Sequence, residues 1–240
     1  MVGLTTETTS SRHQPRRTSW FPVADQSDHV HLVLASGSPR RRELLMQFGV
    51  PFSVRIPDID ETPLFDEAPR SYVERLARIK AGHAVAEVGE TDSHASVQSQ
   101  TLTRHEIVLA ADTTVDLAGA ILGKPTDAND AAVMLRALSG RSHEVHTGVA
   151  VYGSFGLLSS VTTTTVTFRH LTHDDITSYV ATGDPLDKAG SYGIQGDAGR
   201  FVTALSGSAS NVVGLPMAQT AALLAAAGID TIEWGPPRST

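Results

Sequence analysis

The run Ile107-Val-Leu-Ala-Ala111 is apolar at every position and leads directly into Asp112-Thr113-Thr114. A strand with one wet face alternates apolar and polar residues, so an unbroken apolar run of this length predicts a strand buried on both faces. Such a strand needs a layer of structure on each side, and the helical patterns around it supply them. A long helix is expected from about Pro69 to Val88, with Val73, Leu76, Ala77, Ala81 and Ala84 on one stripe and Lys80 on that same stripe. A lysine on an inward face either snorkels to an edge or faces a cleft.

Strand and helix signals alternate along the rest of the chain. His31-Leu-Val-Leu-Ala35 reads as a strand, Ser36-Gly37-Ser38-Pro39 as a turn, and Pro39 to about Gln47 as a helix with a Ser cap, Pro at its first position and Gly49 beyond its end. A strand from Phe52 to Ile56 leads to the acidic loop Asp58-Ile59-Asp60-Glu61-Thr62-Pro63. After the buried strand, which is expected to end at Asp112, come a hairpin turning at Ala118-Gly119, a helix from Asp127 to Leu138, and two alternating strands, Glu144 to Tyr152 and Val161 to Phe168. A helix capped by Thr172, a glycine-rich loop from Asp184 to Gly199, a strand from Arg200 to Leu205 and a helix from Leu215 to Ala227 complete the pattern. Mixed strands with interleaved helices define an α/β architecture. Residues 1–29 lack any apolar period and read as a disordered extension, Gly89 to His105 read as an inserted surface loop, and the folded unit is expected over 30–235.

Composition removes whole classes of chemistry. The 240 residues include no cysteine, so disulfides, Cys-based zinc sites and thiol nucleophiles are excluded. No apolar stretch approaches the roughly 18 residues of a membrane span. Arg16-Arg17-Thr18-Ser19-Trp20-Phe21 faintly resembles an export signal, but Ala24 to His29 are polar where an apolar region is required, and a cytoplasmic chain is expected. A net charge of -7 with no basic run longer than Arg40-Arg41-Arg42 argues against a nucleic-acid partner. Only three of the 19 basic residues are lysines, Lys80, Lys124 and Lys188, and such positions are candidates for sites that need a compact ammonium.

Two places can carry chemistry. Ser36 to Arg42 joins a strand to a helix N-terminus, so hydroxyls, backbone N–H groups and arginines can converge on an anion; a capped helix with a solvated basic turn is the alternative. Asp112, at the end of a buried strand, lies where α/β sheets bind ligands, although an Asx turn would also place an Asp there. An ordinary Asp has a pKa of about 3.9 and is a poor base unless a divalent cation acidifies the water it faces. Asp58, Asp60 and Glu61 offer oxygen ligands suited to Mg²⁺ or Mn²⁺, a solvated acidic loop being the alternative for the two aspartates. His143 and His146 are three apart on an expected strand and point to opposite faces, which argues against a metal shared between them.

Several strings then coincide in order: Leu34-Ala-Ser-Gly-Ser-Pro-Arg-Arg-Arg42, Asp60-Glu61-Thr62, Arg75-Leu-Ala-Arg-Ile-Lys80-Ala81, Ala111-Asp112-Thr113, Gly123-Lys124-Pro125, Leu138-Ser-Gly140, His146-Thr147-Gly148, and Asp187-Lys188-Ala189-Gly190-Ser-Tyr192-Gly193-Ile194-Gln195-Gly196. In this arrangement the chain closely resembles the Maf family of nucleoside triphosphate pyrophosphatases, over about Leu32 to Gly228. The resemblance implies an elongated mixed β-sheet flanked by helices, with two lobes around a nucleotide-binding cleft. It implies hydrolysis of a nucleoside triphosphate between its α and β phosphates, with Mg²⁺ or Mn²⁺ as cofactor. Asp112 would accept the proton of the attacking water, Glu61 would join it in placing metal or water, and Lys80, Lys124 and Lys188 would neutralise the triphosphate and leaving group. Ser36, Arg40 and Arg41 would hold phosphates, and Arg40, Thr113 and Gln195 resemble positions that separate substrates among subgroups. The Tyr-Gly-Ile-Gln-Gly string is similar to the dTTP/UTP subgroup; 7-methyl-GTP or another modified nucleotide is the alternative substrate, and a non-catalytic nucleotide-binding regulator of cell division the alternative role. The N-terminal extension and the 89–105 insertion depart from the compact family pattern and leave a homodimer open.

Overall fold

The buried strand predicted at 107–111 is the first half of a longer one. In the computed structural model, which describes residues 30–90, 106–229 and 231, β1 (His31–Ala35), α1 (Pro39–Met46), β2 (Phe52–Arg55) and α2 (Pro69–Glu90) precede β3, which runs from Glu106 to Leu117. There follow β4 (Ala120–Leu122), α3 (Ala128–Leu138), β5 (Ser142–Gly153), β6 (Gly156–Phe168), α4 (His173–Ala181), β7 (Val202–Ser206), α5 (Ala209–Val213) and α6 (Met217–Ala226). The N-terminal extension and residues 91–105 of the expected insertion lie outside the described residues. Among the described residues no helix is long and apolar enough to cross a membrane.

One seven-stranded sheet, ordered β2-β1-β3-β5-β6-β7 with β4 beside β3, is parallel at one end and antiparallel elsewhere. This is the mixed, helix-flanked α/β sheet the sequence predicts. β3 continues past Asp112 because β5 pairs with it without a break from Val108 opposite Tyr152 to Asp116 opposite Glu144. The change to polar residues at 112–114 therefore marks a lined cleft and not the end of the strand.

Side chains alternate across β3, and each face has its own cover. On one face Ile107, Leu109 and Ala111 pack with Leu44, Leu45, Leu215 and Leu224 of the α1 and α6 side. Further along the same face Val115 joins Leu135, Leu138, Val145, Phe168, Ile176 and Phe201 in a second core. Between the two cores stand Thr113 and Thr147, hydroxyl to hydroxyl at 2.9 Å. The opposite face carries Val108 and Ala110, which pack on Ala77, Ala81 and Ala84 of α2. Truncating a fully enclosed leucine such as Leu109 would cost about 2–5 kcal/mol.

Ser38 and Thr172 cap their helices as expected, and Asp127, expected as the first residue of α3, caps it instead; each accepts a backbone N–H three residues on. Several boundaries differ from expectation: β6 begins at Gly156, five residues before the expected Val161, and α2 runs on through Glu90. The glycine-rich loop contains three short 3₁₀ turns, the last of which, Asp197–Phe201, takes the first two residues expected in β7. The final helix begins at Met217 because Pro216, extended at φ -68 and ψ 104, stands before it. The five-residue α5, ended by Gly214 at φ 119, is too short to show a helical period in the sequence.

Candidate active site

The cleft arises from a gap in the sheet. β1 makes its last pairing with β3 at Ala110, and β4 makes its first at Val115, so residues 111–114 have no neighbouring strand on that edge. A cavity of about 650 Å³ opens there, at the carboxyl end of β1. All ten residues expected at the site line it: Ser36, Arg40, Arg41, Glu61, Lys80, Asp112, Thr113, Lys124, Lys188 and Gln195.

Asp112 points to the α2 side of the sheet, where Lys80 Nζ lies 2.6 Å from its Oδ1 and 2.7 Å from Glu61 Oε1. The glycine opposite Asp112 makes this possible. A Cβ on Gly148 would collide with the Val73 carbonyl, so only glycine lets α2 come close enough for Lys80, two turns on, to reach the strand. Burial pushes the Asp112 carboxyl above its ordinary range, opposed by the charges of Lys80 and Arg41. Burial also pushes Glu61 upward, but the hydrogen bond and charge of Lys80, with Lys124 and Arg41, outweigh it and hold Glu61 below the usual range. The loop carrying Glu61 is tied down at both sides: Tyr72 donates to the Glu61 carbonyl at 2.9 Å, and Arg75, paired with Glu67 at 2.6 Å, donates to the Thr62 carbonyl. Burial, with Asp112 and Glu61 nearby, drives the Tyr72 hydroxyl up to about 12, so it stays a donor. Asp58 and Asp60 do not line the cleft, and Asp60 accepts from Thr62 N within its own turn. The solvated-loop reading holds for these two.

The turn from β1 into α1 supplies the opposite wall. Arg41 lies across it, donating from Nε to the Gly214 carbonyl at 2.8 Å, from Nη1 to Ser36 Oγ at 3.2 Å and from Nη2 to Thr113 Oγ1 at 3.0 Å. Burial lowers its pKa, while Asp112 and Glu61 oppose that shift. The short α5 thus has a function the sequence concealed: its capping glycine anchors Arg41, and Val212 and Val213 line the cavity.

The remaining cations come from the glycine-rich loop and the hairpin. Lys188 Nζ bonds Asp184 Oδ1 at 2.9 Å and Asp187 Oδ1 at 2.6 Å, and the other oxygen of Asp187 lies 3.2 Å from Arg40 Nη1. The stem of Lys188 crosses Gly193, where a Cβ would lie 2.6 Å from its Cε. Lys124 and Gln195 are exposed at the rim. Asp184 and Asp187 are cleft residues that the sequence reading missed, although they flank Lys188 in the chain. In the free protein they and Asp112 occupy cations that a polyphosphate would require.

The donor set at the base of the cleft suits a hard divalent cation. Asp112 and Glu61 offer four carboxylate oxygens and converge on one ammonium, a spacing at which two carboxylates can share a cation. Above them, three lysines and two arginines surround a space of nucleotide size. The result is a cation-lined cleft with the buried Asp112 on one wall.

Comparison with known proteins gives the family. The family model described as Maf-like protein matches residues 31–227, and the chain belongs to the Maf family. A protein of Myxococcus xanthus (strain DK1622) is 50% identical over 205 residues, covering 85% of this chain and 95% of its own length. One from Anaeromyxobacter dehalogenans (strain 2CP-C) is 51% identical over 210 residues, 86% of this chain and 98% of that one. One from Colwellia psychrerythraea is 48% identical over 206 residues, with 86% and 92% covered. Each of these relatives bears the name dTTP/UTP pyrophosphatase.

Proposed function

We propose that the cleft hydrolyses dTTP and UTP to the nucleoside monophosphate and pyrophosphate. The observation that carries this reading is the buried Asp112, paired with Lys80 and under the charge of Arg41, at the base of a cationic cleft. A carboxylate raised above the ordinary range is a better general base at neutral pH than a free aspartate. Water attacks the α-phosphorus while Asp112 takes its proton. The new P–O bond forms as the bond from the α-phosphorus to the bridging oxygen breaks, and pyrophosphate leaves with the charge it has gained. Arg40, Lys124 and Lys188 meet that charge, and Ser36 and Arg41 hold the phosphate under attack. Stabilisation by such preset charges is the main source of rate in phosphoryl transfer.

Asp112 and Glu61 would hold Mg²⁺ or Mn²⁺, which lowers the pKa of a nearby water and neutralises phosphate charge. For the base, Gln195 at the rim offers a donor and an acceptor, a match for the O4 and N3–H edge of a pyrimidine. The names of the relatives support the same substrates. We assign the activity to the cytoplasm, where a nucleoside triphosphate is met. The test is incubation with dTTP, UTP, CTP and 7-methyl-GTP in Mg²⁺ or Mn²⁺, with pyrophosphate and orthophosphate assayed separately. Pyrophosphate from dTTP and UTP is expected; orthophosphate, or binding of all four without turnover, would overturn the reading.

A further inference from the structure

We propose that Asp116, Glu144 and His146 form a Zn²⁺ site separate from the cleft. The site follows from strand register. Asp116 of β3 pairs directly with Glu144 of β5, and His146 lies two residues along β5, opposite Thr114, so all three side chains stand on the α2 side of the sheet as cross-strand neighbours. His146 Nε2 is 3.2 Å from Asp116 Oδ2 and 3.5 Å from Glu144 Oε2. Ligand atoms about 2.0 Å from a tetrahedral Zn²⁺ are about 3.3 Å apart, so one ion can satisfy these contacts with little side-chain movement.

The far side of each inner ligand is already fixed. Asp116 Oδ1 accepts from Gly119 N at 2.6 Å, which leaves Oδ2 turned toward the imidazole. His146 Nδ1 is bonded to Thr163 Oγ1 at 2.9 Å, and Arg70 Nη1 donates to that same hydroxyl at 2.5 Å. An outer partner on the second ring nitrogen is what orients a metal-ligating histidine. His146 is 1% exposed and the Asp116 side chain 14%, while Glu144, at 51%, opens to solvent and leaves an entry and a position for water. Among the described residues no lysine or arginine pairs with either carboxylate.

The ligand set distinguishes this place from the cleft. An imidazole nitrogen with two carboxylates selects a transition ion over Mg²⁺, which prefers oxygen alone. Asp116 is four residues beyond Asp112 on the same strand face, about 13 Å away, too far for one ion to serve both. The experiment is titration of the full-length, tag-free chain with Zn²⁺, and with Co²⁺ as a spectroscopic probe, in excess Mg²⁺. One equivalent is expected to bind, with Co²⁺ giving the intense visible bands of a low-coordinate nitrogen and oxygen site and Zn²⁺ raising the melting temperature. Glu144→Gln, a half-exposed position that does not threaten folding, weakens binding at least tenfold, whereas Asp112→Asn leaves it unchanged. Equal binding by wild type and Glu144→Gln, loss of binding in Asp112→Asn, or no binding by the wild type would each overturn the proposal.

Discussion

Replacing Gly148 by alanine adds one methyl group in a place that touches no substrate, yet it is expected to disable the site. The new Cβ would lie 2.7 Å from the Val73 carbonyl carbon and 2.9 Å from Glu74 N, and closer still to the Val73 oxygen. Ordinary contacts between such atoms are about 3.5–4.0 Å, so α2 must retreat by about 1 Å. Lys80 is carried by the same helix, and its 2.6 Å contact with Asp112 leaves no slack for that movement. Misplacement of a catalytic group by about 1 Å costs about 100-fold in rate, and the overpacking itself about 1–3 kcal/mol, which leaves the domain folded. Turnover by pyrophosphate release and thermal melting are measured on the same preparation. Gly82→Ala is the control on the same helix: a Cβ there meets nothing within 4 Å, so the variant gains about 1 kcal/mol of helix stability with unchanged kcat/KM. A Gly148→Ala protein with turnover within about twofold of wild type would refute the argument that helix approach sets the Lys80 contact.

Three further outcomes are expected. Asp112→Asn keeps Lys80 paired with Glu61 and the fold intact, and lowers kcat by about 10²–10⁴, the range of a lost general base. Asp187→Asn releases Arg40 and Lys188 from a competing carboxylate; exposed ion pairs are worth up to about 1 kcal/mol, so KM for the triphosphate falls by up to about fivefold, and a raised KM would assign Asp187 to substrate or metal instead. His143, buried and bonded to Tyr192, has its pKa pushed down to about 4, so the unfolded chain takes up a proton near pH 6.5 that the folded one refuses. Stability therefore falls as pH drops from 6.5 toward 4, by about 3 kcal/mol in all, and levels off below; urea midpoints across that range show a shallower slope in His143→Gln.

What was legible in the sequence was whatever is fixed locally. Ser38 and Pro39 determine the start of α1, and with it the positions of Ser36, Arg40 and Arg41. The stripe of α2 put Lys80 on a buried face, and the structure leaves it 7% exposed against Asp112. The alternation of β5 correctly sent His143 and His146 to opposite faces: His143 packs on Phe168 and Tyr192, His146 against Thr163 and Asp116. What was hidden depends on register between distant strands. No local pattern shows that Asp116 stands beside Glu144, that β3 outlasts β1, or that a glycine 36 residues from Asp112 on the next long strand makes room for α2. Asp184 and Asp187 were overlooked for a different reason: beside a lysine in a polar loop a carboxylate looks solvated, and only the geometry shows both competing for the cleft's cations.

In the proposed reaction, water activated at Asp112 attacks the α-phosphorus. Hydrolysis of dTTP in H₂¹⁸O, followed by mass spectrometry of the products, tests it most directly. The label is expected in thymidine monophosphate, with unlabelled pyrophosphate released alongside. Label in pyrophosphate would mean attack at the β-phosphorus, and label in orthophosphate attack at the γ-phosphorus; either result would contradict the assignment of the cleft.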